Sequence, residues 1–415
     1  MKNTKNGISG YIQKKGGLFA KGSVDYLFCF FFMVILLMGI VMLYSASYPY
    51  AYSNQNGDSA YFLKKQIGGI LLGGVAMLII SKINYKVIMV PAAILGSGLS
   101  VLLLVIARAM PAYNGTHRYI YIRQIGLQFQ PSDIAKFTLI LVLAWLLDNY
   151  HEIIVSKKPL NMKWAKKINK RVGFNLITYS SVVVLLCFGI IAVYAGLVLL
   201  GSHLSGTILI VTIGMLVMMM GEVRWKYFVV ALVVGIIAIL ILSQTGLFKS
   251  YMGDRIYAWM HKDFDPLGKR WQTNQAIYAM GSGGFFGKGL GRSTQKFLYV
   301  AEPQNDMIFS IVVEELGFFG AAVIIIAFAL LVWRGVVIGI NSDTRFGALV
   351  AMGIVFQIAV QVILNIFVAS DFMPNTGISL PFFSYGRTSM LVNMAEIGMV
   401  LSISRTSRVK KRIKG

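Results

Sequence analysis

The feature that most constrains the fold is a series of about ten long apolar segments spread along the whole chain. A hydrocarbon core of ~30 Å needs about 20 mostly apolar helical residues to cross it. Segments of that length lie near residues 25–47, 63–81, 86–108, 131–149, 173–196, 203–220, 227–245, 306–333, 345–369 and 384–404. Hydrophobic residues make up 57% of the chain and charged residues only 13%, against ~25% charge in soluble globular domains. The sequence therefore predicts an all-α, polytopic integral membrane protein with about ten transmembrane helices.

The charge balance is strongly one-sided, with 39 Lys and Arg against 16 Asp and Glu and a formal net charge of +23. Such an excess is typical of proteins that bind nucleic acid or an anionic surface. A nucleic-acid-binding protein could not leave so much apolar surface in water, so we expect membrane lipids and no nucleic acid as partners. Most of the basic residues fall in alternate connections, which by the positive-inside rule places both termini in the cytoplasm.

The chain is predicted to form one membrane domain over residues 25–404, between a basic N-terminal segment, 1–24, and a basic tail, 405–415. Residues 150–172 form a basic cytoplasmic loop, for which attraction to anionic lipid is a better explanation than a specific ligand site. Residues 246–305 form a long extracytoplasmic loop, and loops of such length are usually functional or disordered. Its aromatic residues and glycine cluster favour a folded, functional loop.

The cysteines and histidines exclude two common kinds of site. Cys29 and Cys187 both lie in apolar stretches, so the chain has no disulfide framework and no cysteine-based metal site. The four histidines are far apart and lack zinc-binding spacing. We therefore expect no resident metal and no evident cofactor.

The run from Gln130 to Lys136 carries ionisable groups into a predicted span, where such groups are costly and become functional candidates. Pro131 suits the first turn of a helix, and the helix dipole favours Asp133 there. Asp133 and Lys136 are three residues apart on one helical face, so they can form an ion pair. A capped helix start with a local ion pair explains the run as well as a functional site does.

A second acidic group lies where the long loop enters the next span. Asp306 can face a cavity at the outer surface, where partial desolvation would raise its pKa and suit it to act as a general base. The structural alternative is a helix N-terminal acid that the dipole favours. Glu314 and Glu315 lie about 12–14 Å further along the same helix, and we expect at least one of them to face the protein interior.

A glycine-rich run from Gly281 to Gly291 precedes these acids. It is not a dinucleotide-binding fingerprint, because Phe286 stands where glycine is required. It is not a P-loop either, because Lys288 is followed by Gly289 instead of Ser or Thr. Since glycines permit positive φ and close backbone approach, the run predicts either a tight loop beside a ligand or a purely structural turn.

The last two spans also carry polar residues. Gln357, Gln361 and Asn365 recur every four residues and form a polar stripe on one helical face. Hydrogen bonding between helices is favoured over a substrate path as the role of this stripe. Arg387 is predicted at the outer interface, where it either snorkels or contacts an anionic ligand.

In order and spacing, these segments resemble a known family. The matching segments are Tyr44–Ser47, Asn114–Tyr119, Gln130–Lys136, Gly281–Gly291, Asp306–Phe309, Glu314–Gly317 and Leu380–Arg387. They are similar to those of the SEDS proteins of bacteria (shape, elongation, division and sporulation), the FtsW/RodA/SpoVE group. The resemblance runs from the first span to the last, and the Ser402–Arg405 ending favours the division or sporulation branch.

The resemblance implies a peptidoglycan glycosyltransferase in the bacterial cytoplasmic membrane. Proteins of this family polymerise lipid II, an undecaprenyl-diphosphate-linked disaccharide pentapeptide, into glycan strands at the outer face of that membrane. They act during cell division, sporulation or elongation, together with a class B penicillin-binding protein as transpeptidase. Converting an α-linked diphosphate into a β-glycoside requires inversion, and hence one base for the acceptor hydroxyl and stabilisation of the departing diphosphate.

The resemblance also implies roles for individual residues. Asp306 matches the family's essential aspartate and is the expected catalytic base. Arg118 and Lys136 are the expected diphosphate-binding cations, with the acid Asp133 beside them. Further candidates are two cations of the long loop, Lys288 and Arg270, and four supporting residues, Gln130, Ser132, Glu315 and Ser384. A divalent cation could share in stabilising the diphosphate, but the sequence shows no cage of ligands for one.

Two other functions are compatible with the sequence. A lipid II flippase or transporter would also need many helices and buried charges, and a non-catalytic division scaffold would need no base at all. Some positions depart from the family pattern: Asp133 stands where Glu is usual, Tyr119 where Trp is common, and residues 201–207 replace a QPDLGT-like run. Arg387 replaces the second glycine of an SYGG motif. None of these changes removes Asp306.

Overall fold

The computed structural model describes residues 17–111, 117–122, 127–155, 178–243, 253–266, 268 and 270–407. The predictions for most of the N-terminal segment, most of the 150–172 loop, the start of the 246–305 loop and most of the basic tail lie outside the described residues. The described part is mainly helical, with one short hairpin and connecting loops.

Thirteen helices and two strands follow one another along the described chain. In order they are α1 Tyr26–Asn54, α2 Tyr61–Lys82, α3 Tyr85–Ala109, β1 Ile120–Ile122, β2 Leu127–Phe129, α4 Pro131–Asn149, α5 His151–Val155, α6 Tyr179–Leu200, α7 Leu204–Met220, α8 Trp225–Ser243, α9 Gly253–Met260, α10 Trp271–Gly283, α11 Ile308–Ile340, α12 Arg345–Ala369 and α13 Arg387–Thr406. All except α5, α9 and α10 coincide with the predicted spans, which confirms the predicted membrane fold. Six of these helices are long and apolar enough to cross a membrane by length and composition alone.

Several helices begin at a capping side chain or a first-turn proline that is visible in the sequence. The Asp25 side chain accepts a hydrogen bond from Phe28 N (3.0 Å) at the start of α1, and the Thr344 side chain accepts one from Gly347 N (3.0 Å) at the start of α12. Caps of this kind stabilise a helix by ~1 kcal/mol because they satisfy an otherwise orphaned N–H. Pro131 is the first residue of α4, where its missing N–H costs nothing.

Helices α4 and α12 lie at the centre of the bundle, while α2 and α3 lie at its periphery. Most side chains of α4 are buried, and α12 is the most buried of the six long apolar spans. By contrast, α2 and α3 leave large apolar side chains such as Leu71 and Leu95 exposed. Apolar faces that stay exposed on this scale are typical of surfaces that contact lipid or partner helices.

The two ends of the bundle carry different elements. At one end, here called the basic end, Arg334 pairs with Asp25 (2.7 Å) and Lys86 pairs with Asp343 (3.4 Å). The opposite end, here called the site end, carries the β1–β2 hairpin, α9, α10 and the chain between α12 and α13. The described part of the long loop therefore folds into helices and turns, as expected from its composition.

Helix α11 is broken near the site end at Gly317, whose φ of 70° and ψ of −173° are not helical. The glycine-rich loop fits against this break, since Lys288 N donates to the carbonyl oxygen of Glu314 (3.0 Å). A Cβ on Gly287 would collide with the backbone of Glu315, so the close approach requires glycine. These contacts support the structural turn among the two predicted roles of the run.

Candidate active site

The site end contains a cavity of about 480 Å³, within the ~300–1,000 Å³ typical of small-molecule sites. Its walls come from the end of α1, the starts of α2, α4, α7 and α13, the hairpin, the loop before α11 and the chain before α13. Its charged lining residues among those described are Lys65, Arg118, Lys136, Arg387, Asp133, Glu302 and Asp306. The cavity thus brings together five residues predicted from the sequence, which are Asp306, Arg118, Asp133, Lys136 and Gln130.

Asp306 lies two residues before α11, and its backbone is held by side chains from other elements. Asn365 Nδ2 of α12 donates to the Asp306 carbonyl oxygen (2.8 Å). Ser384 Oγ donates to the neighbouring carbonyl oxygen, that of Asn305 (2.6 Å). The carboxylate of Asp306 has a neighbour as well, since Gln272 Nε2 of α10 lies 3.5 Å from Asp306 Oδ1. Ser384, predicted as a supporting residue, is therefore placed to position the chain that carries the acid.

The surroundings raise the pKa of Asp306 above the usual aspartate value. Burial is the largest cause, because the charged form loses its water, and the nearby Glu302 adds repulsion. A backbone hydrogen bond and the cations Arg255 and Arg118 act in the opposite direction without cancelling the effect. A carboxylate with a raised pKa is a better proton acceptor, which is the property that a general base requires.

Arg118 lies beside Asp306 across a single glycine. A Cβ on Gly377 would be 3.8 Å from Asp306 Oδ2 and 3.9 Å from Arg118 Nη1, so both groups face the same small space. Gly377 has a φ of 74°, a conformation that favours glycine. Among the described residues Arg118 makes no ion pair, and its buried Nε has no hydrogen-bond partner. The guanidinium can therefore bind an anion next to the acid.

Asp133 and Lys136 form the ion pair that their spacing predicts, with Lys136 Nζ 2.9 Å from Asp133 Oδ1. Their side chains are only 8% and 5% exposed, and both line the cavity. A buried pair of this kind costs desolvation, so it persists only where the geometry compensates. The pair gives the start of α4 a polar surface without adding net charge.

His203 lies against this wall and connects two of the predicted supporting residues. Its Nδ1 is 3.3 Å from both Ser132 Oγ and Gln130 Nε2. Burial, reinforced by the positive charges of Arg118 and Lys136, lowers the pKa of His203 to about 3. His203 is therefore a neutral hydrogen-bonding residue at physiological pH. From the sequence, residues 201–207 were noted only as a departure from the family pattern, and His203 was given no role because a lone histidine carries no motif.

The structure does not bring Arg270 and Lys288 to Asp306. Arg270 pairs with Asp371 (2.7 Å), in the chain after α12, and Lys288 pairs with Glu314 (2.6 Å) on α11. Neither of them lines the cavity. Their positions do not support the hypothesis that they bind the diphosphate, because membership of a loop does not determine which way a side chain faces.

Glu314 and Glu315 hold the glycine-rich loop instead of lining the cavity. Both are fully buried, which agrees with the expectation that at least one of them faces the protein interior. Glu315 pairs with Lys296 (2.6 Å) and accepts a hydrogen bond from Ser45 Oγ of α1 (2.6 Å). Glu314 accepts from Thr294 N (3.0 Å). The residues that fasten the loop to α11 in this way are Lys288, Ser293, Thr294, Lys296, Glu314 and Glu315.

The polar stripe of α12 makes hydrogen bonds to other elements. Gln357 Nε2 donates to both carboxylate oxygens of Glu396 on α13 (2.8 Å each). Gln361 Nε2 donates to the Ser379 carbonyl oxygen (3.0 Å), and Asn365 bonds the backbone at Asp306, as above. This is the interhelical role favoured by the sequence, although Gln361 also lines the cavity.

Several residues around Asp306 escaped sequence reasoning. Lys65, Gln272 and Gly377 adjoin the cavity or the acid but belong to no motif that we recognised. Asn375 Nδ2 donates to Gln272 Oε1 (2.9 Å) and so orients its amide towards the acid. The only available signal was the proximity of Gly377 and Asn375 to the family-like segment that begins at Leu380. Among the described residues, no group of three or more His, Cys, Asp or Glu is arranged to hold a metal ion.

Comparisons with known proteins place the chain in a family. The family model for FtsW, RodA and SpoVE, described as a cell cycle protein, matches residues 25–409. Stage V sporulation protein E of Bacillus subtilis is 32% identical over 397 residues, which covers 94% of this chain and 99% of that protein. A probable peptidoglycan glycosyltransferase FtsW of Trichlorobacter lovleyi is 31% identical over 384 residues, which covers 90% of this chain and 92% of that protein.

Solved structures show the same fold. A chain of a peptidoglycan synthase complex, described as coordinating polymerization and crosslinking, matches with a TM-score of 0.69 at 23% identity and covers 92% of this chain and 98% of its own. The rod shape determining protein RodA of Thermus thermophilus matches with a TM-score of 0.61 at 23% identity, covering 92% and 97%. The family match spans nearly the whole chain and confirms the resemblance seen in the sequence: this chain belongs to the FtsW/RodA/SpoVE family.

Proposed function

We propose that this protein is a peptidoglycan glycosyltransferase that polymerises lipid II into glycan strands, with Asp306 as the general base. The observation that carries the proposal is the juxtaposition of Asp306, whose pKa is raised, and Arg118 across Gly377 in one cavity. The relative from Trichlorobacter lovleyi bears the name probable peptidoglycan glycosyltransferase, which agrees with this chemistry.

The proposed reaction is a single displacement at the anomeric carbon of the donor sugar. The acceptor hydroxyl gives its proton to the Asp306 carboxylate while its oxygen forms the new glycosidic bond. The bond from the anomeric carbon to the diphosphate breaks, and the diphosphate leaves with the electron pair. Attack from the opposite face inverts the α-linkage to β, by analogy with inverting glycosidases. Arg118 and Lys136 stabilise the charge on the leaving group, a contribution of about 10²–10³-fold per preorganised donor.

We infer that the cavity opens to the outer face of the bacterial cytoplasmic membrane. The helix termini nearest both ends of the chain, Asp25 and Arg405, lie together at the basic end, where Asp25 pairs with Arg334 and Arg405 donates to the Gly22 carbonyl oxygen (2.7 Å). The positive-inside rule assigns such an end to the cytoplasm. Both termini are then cytoplasmic, and Asp306 lies on the opposite side of the bilayer.

We further propose that the enzyme works with a class B penicillin-binding protein as transpeptidase, during cell division, sporulation or elongation. Two facts support this partner. The fold matches a chain of a complex described as coordinating polymerization and crosslinking. Peripheral helices such as α2 and α3 also present exposed apolar faces that a partner's membrane helix can cover.

The test is lipid II polymerisation by the purified protein, alone and with its cognate transpeptidase, read as glycan length on a gel. We expect wild type to form polymer and Asp306→Asn to form none, because the amide cannot accept the proton. Asp263→Asn is the matched control, since Asp263 is an exposed acid of the same loop that does not line the cavity. Normal yield and melting temperature of Asp306→Asn would exclude a folding defect.

Three results would contradict the proposal. Full polymerisation by Asp306→Asn would remove the base from its role. Transbilayer movement of labelled lipid II in vesicles, with no polymer under any condition, would favour a flippase. If Asp306→Asn and Asp133→Asn both supported growth of cells that depend on this protein, a non-catalytic scaffold would be the better description.

A further inference from the structure

Two cations in the cavity have no part in the mechanism above. Lys65 lies in the second turn of α2, and Arg387 is the first residue of α13. The two helices approach closely at this level, since a Cβ on Gly69 would be 3.1 Å from Arg387 Cα. Gly69 lies one helical turn after Lys65 and hence on the same face. The two cations therefore project from neighbouring points of one wall of the cavity.

Buried contacts set the geometry of this wall. Gln66 is 1% exposed; its Nε2 donates to the Ser384 carbonyl oxygen (3.3 Å) and its Oε1 accepts from Gly386 N (3.1 Å). Tyr385 packs edge-to-face on Phe62 with ring centroids 4.9 Å apart. The chain that leads into α13 is thus fastened to α2 by both polar and aromatic contacts, so the cations start from a rigid base.

Each cation is accompanied by a tyrosine hydroxyl. Lys65 Nζ donates to Tyr61 OH and lies 3.9 Å from the centroid of that ring, while Arg387 donates to Tyr385 OH. Burial raises the pKa of Tyr385, so its hydroxyl stays neutral. A neutral hydroxyl orients a cation but does not neutralise it, so these two contacts are compatible with binding of an anionic ligand in the cavity that both cations line.

The rest of the cavity is arranged differently. Lys136 is already paired with Asp133 (2.9 Å), and Arg118 faces the same space as Asp306. The reacting bond must therefore lie near Arg118 and Asp306, where the leaving diphosphate needs stabilisation. A polymerising transferase holds two lipid-linked anions at once, because donor and acceptor each carry a diphosphate. Arg118 and Lys136 are assigned to the leaving diphosphate, so the second diphosphate needs cations elsewhere in the cavity.

We propose that Lys65 and Arg387 form a second diphosphate-binding subsite, which holds the acceptor while Arg118 and Lys136 hold the donor. The proposal rests on the proposed function for its assignment of donor and acceptor. The shared chemistry is a diphosphate, which can be supplied by a lipid headgroup or by the free anion.

The first test measures how many undecaprenyl diphosphate molecules the full-length protein binds, by native mass spectrometry. We expect two on wild type and one on the Lys65→Gln/Arg387→Gln double variant. Lys64→Gln and Arg292→Gln are the controls, because both residues are exposed and lie outside the cavity; each should retain two. A single bound lipid on wild type, or two on the double variant, would overturn the subsite.

A competition arm identifies the source of the anion. Inorganic diphosphate is titrated against the bound lipid in wild type and in the double variant. Displacement of one lipid in wild type but none in the double variant marks a site that accepts the free anion. Resistance of both wild-type lipids marks a site that requires the lipid headgroup. Equal displacement in the two proteins would contradict the subsite.

The second test is kinetic and separates this inference from the proposed function. Loss of one charge-assisted contact should raise the apparent KM for lipid II about tenfold in Lys65→Gln and in Arg387→Gln. The acid limb of the pH profile should not move, because neither residue is among the main causes of the shift in the pKa of Asp306. Unchanged KM in both variants would overturn the subsite even if wild type polymerises. If wild type makes no polymer, the proposed function fails, and the binding stoichiometry still decides the subsite.

Discussion

Lys296 and Glu315 form an ion pair of 2.6 Å in which neither side chain is exposed at all. Ser45 of α1 joins the pair, since its Oγ lies 3.2 Å from Lys296 Nζ and 2.6 Å from Glu315 Oε2. Three segments distant in sequence, α1, the loop after α10 and α11, therefore meet at one buried charge pair. The pair sits next to the break in α11 at Gly317, and Glu315 is nine residues beyond Asp306.

Breaking this pair from one side should destabilise the protein strongly. Lys296→Met leaves Glu315 buried without its cation, which costs about 3–5 kcal/mol for pairs of this kind. We expect a large drop in the temperature at which the purified protein loses its monodisperse form. Lys64→Met is the matched control, because the Lys64–Asp58 pair is 67% and 39% exposed and surface pairs contribute only ~0–1 kcal/mol. Similar melting of Lys296→Met and Lys64→Met would show that the buried pair is not a main contact.

The pH dependence of polymerisation should move in opposite directions in two variants. Asp306 must be ionised to act as a base, so activity is lost as the pH falls through its raised pKa. Arg118 lowers that pKa and Glu302 raises it. Arg118→Gln should therefore shift the acid limb of kcat/KM to higher pH, and Glu302→Gln should shift it to lower pH.

The measurement is a pH series of initial polymerisation rates at low lipid II concentration. Lys65→Gln provides the control, because it removes a cavity cation that is not among the main causes of the shift in the pKa of Asp306. Shifts of the same sign in Arg118→Gln and Glu302→Gln would contradict the assignment of Asp306 as the titrating base.

Gly377→Ala should impair catalysis more than stability. Its φ of 74° makes any side chain strained, at a cost of about 1–2 kcal/mol. The added methyl group would also contact Asp306 Oδ2 and Arg118 Nη1, at 3.8 and 3.9 Å. Gly284→Ala isolates the strain, because Gly284 has a φ of 57° and open space around it. We expect similar melting temperatures for the two variants but at least about tenfold lower kcat/KM for Gly377→Ala, because the methyl group takes up part of the small space that Asp306 and Arg118 face and in which the substrate must be positioned. Equal activities would exclude a role for the Gly377 contact.

Arg270→Gln should lower stability without changing the apparent KM for lipid II. Arg270 pairs with Asp371 and donates to the Ala258 carbonyl oxygen (2.8 Å), outside the cavity. The change leaves Asp371 buried without its cation, so its effect is on folding. Melting curves and lipid II saturation curves of the same preparation check both parts. A raised KM with unchanged melting would restore the interpretation from sequence, in which Arg270 binds the diphosphate.

Local features of the site could be predicted because their causes are local. The Asp133–Lys136 pair follows from a three-residue spacing on one helix, and Pro131 marks the start of that helix. Asp306 was identified through the family-like run around it and its position at the entry to a span. The placement of Arg270 and Lys288 was not predictable in this way, because their partner acids lie 101 and 26 residues away in the chain.

The apolar segments by themselves determined that this chain folds as a polytopic membrane protein, since a helix is the form in which one segment satisfies its own backbone hydrogen bonds in lipid. The basic residues in alternate connections predict the orientation of the bundle in the membrane. Only the tertiary structure decided which cations line the same cavity as Asp306 and which cations form ion pairs elsewhere. Which partner each cation finds depends on packing between segments hundreds of residues apart, such as α2 against α13. Burial then leaves a charged side chain few positions in which its charge is satisfied.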